Sequence, residues 1–217
     1  MDMVEDQLVR RGIVDPAVLE AMGSVPRHAF VLASDQELAY LDRPIPIGLD
    51  QTISQPYIVA LMTQLAQVTP GCRVLDVGTG SGYQAAILAK MGARVVSIEI
   101  LSQHASRARK TLEGLGLPMP VHVHVADGAV GWPEHAPFDA ILVAAAPKHV
   151  PQALLDQLAV GGRLLIPVGD IDQELLCIER TAHGWTRKRI TAVAFVPMTG
   201  TTLESDQIQV ASQRIDG

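Results

Sequence analysis

The sequence predicts an α/β protein with a doubly wound, mostly parallel sheet of seven strands, one antiparallel strand at its edge and an added helical region at the N-terminus. Between about residues 71 and 168, short apolar runs alternate with stretches whose apolar residues recur at helical spacing. Strands that alternate with helices form a parallel sheet covered on both faces, and right-handed crossovers make it doubly wound. Two further strand-like runs flank His183–Gly184, so we expect a hairpin at the edge of the sheet.

The seven strands follow from short apolar runs bounded by turn residues. Five runs are expected to be parallel strands: Arg73–Val77, Arg94–Ile98, Val121–Val125, Asp139–Val143 and Arg163–Pro167. The two runs of the hairpin contain Leu175–Ile178 and Ile190–Val196. Helices are expected through Ala85–Ala89, around 102–115 and around 151–159.

The first 70 residues are predicted to be mostly helical. Asp15–Pro16 is typical of a helix N-cap followed by proline at the first helical position, and Ser54–Pro56 repeats that signal before apolar residues at helical spacing. Arg43–Gly48 is rich in proline and glycine, so we expect a loop or an edge segment there.

We expect a single domain over residues 1–217, because the chain suits one well-buried core and is short for two. It divides into an N-terminal helical and substrate-loop region (1–70), a cofactor-binding core (71–168), C-terminal strands (169–200) and a polar tail (201–217).

Composition and charge exclude several classes of protein. The net charge is -6 and the one short basic run, Arg187–Arg189, is best interpreted as a solvated face, so a nucleic-acid partner is not expected. No segment has the length of a membrane span, and the acidic N-terminus is unlike a signal peptide. Cys72 and Cys177 match no metal-ligand spacing. We therefore expect a cytoplasmic protein.

A glycine-rich loop follows the first strand of the core and begins a helix. It consists of Gly78, Thr79, Gly80, Ser81 and Gly82. Glycines at such a turn let a ligand lie directly against the backbone. Glu99 ends the next strand, about 20 residues further on, where a carboxylate can accept hydrogen bonds from ribose hydroxyls. Together these features predict a nucleoside pocket.

The spacing of the glycines favours one nucleoside over another. A dinucleotide loop has its last glycine three positions after the second, where this chain has Tyr83. The segment from Asp76 to Gly82 instead resembles the first motif of S-adenosylmethionine-dependent methyltransferases. That resemblance implies that Asp76 and Gly78–Gly82 bind the cofactor, and it places Asp127 and Gly128, after the third strand, beside the adenine. A dehydrogenase would also need a catalytic Tyr-Lys pair or His, which we do not find. We therefore expect S-adenosylmethionine as the cofactor.

The histidines offer no metal site. His122 and His124 alternate with valines and share one face of a strand, but no third ligand is marked nearby. We interpret them as surface or half-buried side chains and expect no bound metal.

Several segments, in order from about residue 5 to 198, together resemble the protein-L-isoaspartate O-methyltransferases. The most specific is Gln51–Pro56, preceded by Ile47–Gly48, whereas the glycine loop is shared by many methyltransferases. The other matching segments are Val25–Arg27 with Phe30, Asp127–Gly128 with Trp132, Pro137–Ile141 with Pro147, Ile166–Gly169 and Phe195–Pro197.

The resemblance implies an enzyme that methylates the misplaced α-carboxylate of L-isoaspartyl residues in damaged proteins and peptides. It implies that Ser54 is the active-site serine, and that Ile47, Thr52, Ile53 and Ser54 bind the substrate. We expect the Ser54 hydroxyl to orient the acceptor carboxylate while it also caps the following helix; a cap alone is the alternative. A carboxylate acceptor is already ionised at neutral pH, so no general base is expected.

Other interpretations stay open. Tyr57 stands where some members of the family carry His, and Asp50 adds a charge to a loop that is often uncharged, so the substrate preference can differ. A methyltransferase of small molecules would share the glycine loop and Glu99, and pocket residues alone do not distinguish an enzyme from a binding module. The sequence leaves the oligomeric state open, with a monomer slightly favoured.

Overall fold

In the computed structural model, which describes residues 3–200, one sheet contains seven strands: β3 (Arg73–Val77), β4 (Arg94–Glu99), β5 (Val121–Val125), β6 (Phe138–Val143), β7 (Leu158–Val168), β8 (Gln173–Thr181) and β9 (Gly184–Val193). Their order across the sheet is β5-β4-β3-β6-β7-β8-β9. The pairs among β3 to β7 are parallel. The predicted tail, 201–217, lies outside the described residues.

The sheet ends in the predicted antiparallel hairpin. Strand β8 runs antiparallel to β7 and β9 runs antiparallel to β8, so β9 is the outer edge and β8 is the reversed strand beside it. The turn at His183–Gly184 joins them directly, whereas two parallel neighbours need a long crossover.

Helices and buried side chains cover both faces of the sheet. The helices are α1 (Pro16–Ser24), α2 (Pro56–Ala66), α3 (Tyr83–Lys90), α4 (Ser102–Glu113) and α5 (Gln152–Asp156). The larger apolar cluster contains residues of α1 to α4, and the smaller one packs α5 against the opposite face. None of the helices among residues 3–200 is both long and apolar enough to span a membrane.

The prediction around residues 151–159 was wrong at its C-terminal end. Helix α5 stops at Asp156, and β7 begins at Leu158, five residues before the predicted start at Arg163. Leu158 pairs with Phe138 of β6, and the amide of Phe138 donates to the carbonyl of Gln157 at 2.8 Å. Because Leu158 pairs with β6, the segment that starts there is a strand of the sheet and not a continuation of α5.

The N-terminal region contains a small sheet that the sequence did not predict as such. Strand β1 (Ile45–Gly48) pairs antiparallel with β2 (Gln51–Ile53), so the segment expected to be a loop or an edge segment is one arm of a hairpin. Leu49 and Asp50 form its turn with φ of 53° and 57°. Leucine rarely adopts this left-handed conformation, which is why the sequence gives no hairpin signal here.

The other N-terminal elements are short. A π-helical segment spans Met3–Leu8, and 3-10 turns occupy Val9–Arg11, Arg27–Phe30 and Ala33–Leu38. The predicted cap of α1 is confirmed, because the Asp15 carboxylate accepts from the amides of Ala17 at 2.9 Å and Val18 at 3.3 Å.

A carboxyl group is buried in the centre of the sheet. Asp76 of β3 is 1% exposed, and its Oδ2 accepts a hydrogen bond of 2.7 Å from the hydroxyl of Ser97 on β4. Its Oδ1 has no hydrogen-bond partner among residues 3–200. Burial raises the pKa of Asp76 to about 7, against the lowering effect of the Ser97 hydrogen bond, and the charge of Glu99 raises this pKa further.

This raised pKa makes stability depend on pH in a defined direction. Below about pH 7 the folded protein keeps the Asp76 proton, whereas the unfolded chain releases it near pH 3.8. Between these values the folded state holds the extra proton, so the contribution of Asp76 to the free energy of unfolding falls as pH rises.

We predict that Asp76→Asn removes this dependence, because asparagine does not titrate. From pH 5 to pH 7, the free energy of unfolding of the variant should rise relative to that of the wild type by roughly 2 kcal/mol. Urea unfolding of both proteins at several pH values measures this difference, in which the other titrating groups cancel. A difference that is the same at every pH would contradict the prediction.

Candidate functional site

A cleft lies at the carboxyl ends of β3, β4 and β6. The strand order reverses between β3 and β6, and ligands of open α/β sheets bind at such a point. One wall comes from the glycine loop and the ends of the strands. The opposite wall comes from Gln51–Ser54, and a third side from Val196–Thr199.

The glycine loop is tied to the end of β4. The amides of Gly78 and Thr79 both donate to the carbonyl of Ile98, at 2.8 and 3.1 Å, and the amide of Gly80 donates to Oε2 of Glu99 at 2.8 Å. Gly78, Thr79, Gly80 and Ser81 line the cleft. Gly82 does not: it precedes α3 with a φ of 92°, and a Cβ there would lie 3.3 Å from that of Ala108. Gly82 therefore serves the packing of α3 against α4.

The carboxylate of Glu99 is held at the cleft by backbone amides. Besides the amide of Gly80, it accepts from the amide of Leu101, through Oε1 at 2.9 Å, and the side chain is only 6% exposed. Each carboxylate oxygen can accept more than one hydrogen bond. Glu99 can therefore accept hydrogen bonds from a pair of ligand hydroxyls while it keeps its hydrogen bond from the amide of Gly80.

Asp76, which was expected among the cofactor-binding residues, does not line the cleft; it is buried beneath the loop and supports it. The hydroxyl of Ser97, which donates to Asp76, lies 2.6 Å from the hydroxyl of Thr79. Thr79 in turn lines the cleft. The three side chains form a buried polar chain from the centre of the sheet to the loop.

The turn after β5 contributes backbone rather than a side chain. Gly128 lines the cleft, and a Cβ at this position would lie 2.7 Å from Cγ1 of Val77, so only glycine fits. The carboxylate of Asp127 accepts from the amide of Ala129 at 2.9 Å and is not part of the lining. Of this predicted pair, Gly128 reaches the cleft and Asp127 holds the turn.

The predicted substrate segment forms the opposite wall. Thr52, Ile53 and Ser54 line the cleft. Ile47, in contrast, is fully buried and packs beneath the glycine loop: a Cβ added to Gly80 would lie 3.5 Å from Cδ1 of Ile47. The predicted capping role of Ser54 was wrong: α2 begins at Pro56 after Gln55, whose side chain makes no capping bond, and it is Oδ1 of Asp42 that accepts from the amide of Tyr57 in the first turn, at 3.2 Å. The Ser54 hydroxyl makes no hydrogen bond within residues 3–200, so it is available to a ligand.

A second cavity adjoins the cleft. Thr52, Ser54, Ala144 and Val196 line both spaces, and the remainder of the second cavity comes from Pro44, Gln55, Ile58 and the segment 192–195. Ser54 therefore lies where the two spaces meet. The arrangement provides two adjoining spaces, one on either side of this hydroxyl.

The two residues that depart from the family pattern lie outside the cleft. Asp50 is exposed at the turn of the β1–β2 hairpin. The central guanidinium carbon of Arg11 lies 3.5 Å from the centroid of the Tyr57 ring. The backbone amide of Tyr57 donates to Oδ1 of Asp42 at 3.2 Å. Tyr57 therefore joins the first turns of the chain to α2.

The third side of the cleft, residues 196–199, was not predicted from the sequence. The amide of Ala146 donates to the carbonyl of Val196 at 2.8 Å, and the amide of Met198 donates to that of Ala146 at 2.9 Å. These bonds bring the segment after β9 back to the end of β6. Phe195–Pro197 carried part of the family resemblance, but no periodicity indicates that it returns to the site.

Comparison with known sequences supports one family. Residues 1–203 match the sequence profile of the protein-L-isoaspartate(D-aspartate) O-methyltransferases. A protein-L-isoaspartate O-methyltransferase of Synechococcus sp. is 56% identical over 204 residues, covering 90% of this chain and 83% of that protein. One of Gloeobacter violaceus is 55% identical over 199 residues, covering 91% of this chain and 97% of that protein.

Solved structures agree with the sequences. A protein-L-isoaspartate O-methyltransferase of Plasmodium falciparum, in complex with S-adenosyl-L-homocysteine, has a TM-score of 0.80 at 29% identity, covering 91% of this chain and 96% of that one. Another protein-L-isoaspartate O-methyltransferase has a TM-score of 0.81 at 27% identity; the match covers 88% of this chain but 63% of that longer chain. The predicted fold and resemblance are confirmed, and the chain belongs to the protein-L-isoaspartate(D-aspartate) O-methyltransferase family.

Proposed function

We propose that this protein transfers a methyl group from S-adenosylmethionine to the α-carboxylate of L-isoaspartyl residues in damaged proteins and peptides. The observation that carries the proposal is the position of Ser54 between two adjoining cavities, since methyl transfer needs a donor and an acceptor held face to face. Membership of the family supports the substrate class.

The residues of the cleft fit S-adenosylmethionine. Glu99 offers a fixed carboxylate to the two ribose hydroxyls, and Gly128 leaves a surface without a side chain for the adenine. Gly78 and Gly80 expose backbone to the rest of the ligand. When bound, this cofactor supplies a methyl group that its sulfonium already activates. The protein therefore has to bind, align and shield it.

The acceptor would occupy the second cavity, with its carboxylate at Ser54. A hydroxyl without a protein partner can donate to a carboxylate and fix its direction, and a hydrogen bond to a charged group is among the stronger ones. Thr52 and Gln55 line the same cavity and add polar groups along it. Ser54 thus orients the attacking oxygen rather than removing a proton from it.

The lack of a general base agrees with a carboxylate acceptor. Among the described residues that line the cleft, only Glu99 and Tyr83 have ionisable side chains. Both oxygens of Glu99 accept backbone hydrogen bonds, and burial raises the pKa of Tyr83 to about 12, so its phenol stays protonated at neutral pH. An acceptor that is already ionised needs neither group as a base.

The single-domain organisation, a cytoplasmic location and a monomer stay predictions from the sequence.

We predict that labelled S-adenosylmethionine methylates a peptide with an isoaspartyl linkage and not the same peptide with a normal aspartyl linkage. The label should be labile to base, because a methyl ester hydrolyses readily. Label on both peptides, or on neither while S-adenosylhomocysteine still raises the melting temperature, would contradict the proposed substrate. The second result would favour a methyltransferase of small molecules.

We predict that Ser54→Ala lowers kcat/KM for the isoaspartyl peptide by about 10- to 100-fold, the value of one hydrogen bond to a charged group. The affinity for S-adenosylhomocysteine should change little, because Glu99 and the glycine loop are untouched. Ser24→Ala is the matched control, since that hydroxyl donates to the carbonyl of Glu20 within α1. An unchanged kcat/KM in Ser54→Ala would rule out the orienting role.

We predict that Glu99→Gln weakens binding of S-adenosylhomocysteine by roughly 10-fold or more, because the ligand hydroxyls lose a charged acceptor. Calorimetric titration measures this affinity without any dependence on turnover. Glu113→Gln, an exposed position at the end of α4, is the control and should bind as the wild type does. Equal affinity in the two variants would exclude Glu99 as a cofactor ligand.

A further inference from the structure

Arg27 is a fully buried cation behind the cleft. It begins the 3-10 turn Arg27–Phe30, and its side chain has no exposed surface. It forms no salt bridge with a described residue; Asp42 acts on it only through space. A buried charge is costly unless polar groups around it compensate, so the contacts of this guanidinium indicate what it is used for.

The guanidinium joins segments from three parts of the chain. Nε donates to the carbonyl of Ala39 at 2.7 Å, and Nη2 donates to the carbonyl of Ser54 at 2.7 Å. Its central carbon lies 4.8 Å from the centroid of the Tyr83 ring, within the range of a cation–π contact. Ser54 and Tyr83 line the cleft from opposite walls, and Tyr83 directly follows the glycine loop.

The charge persists at neutral pH. Burial lowers the pKa of Arg27 to about 10, while the neighbouring Tyr83, Asp42 and Tyr40 act in the opposite direction. Arginine suits this position because its planar fork presents several donors in fixed directions, whereas lysine offers a single point charge. One side chain thereby fixes the peptide group of Ser54 relative to the helix start that follows the cofactor loop.

We propose that Arg27 is a positioning residue for methyl transfer: it sets the direction of the Ser54 segment, and so of the acceptor carboxylate, relative to the donor wall. This inference rests on the proposed function and adds a residue that touches neither ligand. Its contribution belongs to alignment, so its loss should lower kcat more than it weakens binding of either ligand. A displacement of about 1 Å at a reacting centre can cost about 100-fold in rate.

The test compares Arg27→Lys with Arg109→Lys. Arg109 makes the same kind of contact, since its Nε and Nη2 donate to the carbonyl of Val123 at 2.9 and 2.8 Å, but it lies on α4 and outside the cleft lining. Both proteins are assayed with labelled S-adenosylmethionine and the isoaspartyl peptide, at a temperature where both are folded. Arg27→Gln is the second variant, because a neutral amide keeps one donor and lowers the cost of burial if the lysine variant fails to fold.

We expect Arg27→Lys or Arg27→Gln to lower kcat by about 10- to 100-fold, with KM for the peptide and the affinity for S-adenosylhomocysteine within about threefold of the wild type. Hydrogen–deuterium exchange of the segment 51–57 should become faster without any ligand present. Arg109→Lys should lower the melting temperature and leave kcat and this exchange unchanged.

Two results would overturn the inference: a kcat in the Arg27 variants that falls no further than in Arg109→Lys, or an unchanged exchange rate of the segment 51–57. If the wild type itself does not methylate the isoaspartyl peptide, the proposed function fails, and the exchange measurement alone still decides whether Arg27 holds the Ser54 segment.

Discussion

The site depends on how three consecutive amides of the glycine loop are satisfied. The N–H groups of Gly78, Thr79 and Gly80 are all bound by two consecutive residues at the end of β4, through the carbonyl of Ile98 and the carboxylate of Glu99. A loop that turns sharply after a buried strand would otherwise leave these donors without partners, at a cost of about 1 to 3 kcal/mol each. The carboxylate that binds the amide of Gly80 also lines the cleft. The end of β4 therefore fixes the loop and contributes a carboxylate to the wall of the cleft.

A second network joins the N-terminal region to the acceptor wall. The carboxylate of Asp42 accepts hydrogen bonds from the side chains of Arg11 and Gln55 and from the amide of Tyr57. Ser54, the residue before Gln55, is held from inside the core, because Nη2 of Arg27 donates to its carbonyl. The segment 54–57 is thus held by side chains from the first 42 residues. The N-terminal region therefore belongs to the site, because without it the wall opposite the glycine loop would have few fixed contacts.

The sequence predicted the parts of this molecule that depend on local pattern. Apolar runs indicated where each strand of the large sheet lies, although β9 spans Gly184–Val193 and not Ile190–Val196, and Asp15 marked the start of α1, because both signals lie within a few consecutive residues. The glycine loop and Glu99, which was expected from its spacing of about 20 residues, both lie at the cleft, but their role toward a cofactor stays a prediction. The β1–β2 hairpin was missed because its turn uses Leu49 and Asp50 in a conformation that those residues seldom adopt.

Long-range contacts could not be predicted from such patterns. Nothing near Arg27 in the sequence indicates that it lies behind Ser54, and nothing near Val196 indicates that the chain returns to β6. The early end of α5 follows from pairing of Leu158 with Phe138, which no propensity for helix reveals. Ser54 shows both what the sequence predicts and what it misses. The family resemblance pointed to this residue, but only the structure shows that Gln55 and not Ser54 precedes α2, and that Ser54 lies between two cavities.

The return of residues 196–199 to the cleft has a consequence for how the protein is made. During synthesis the chain emerges from its N-terminus, so the glycine loop, Glu99 and the Ser54 segment are all available before the last side of the cleft has been translated. The pocket is completed only when this late segment reaches Ala146. A growing chain on the ribosome therefore lacks a finished binding site until residues 196–199 have emerged, and a chain that stops short of residue 196 would lack one side of the cleft.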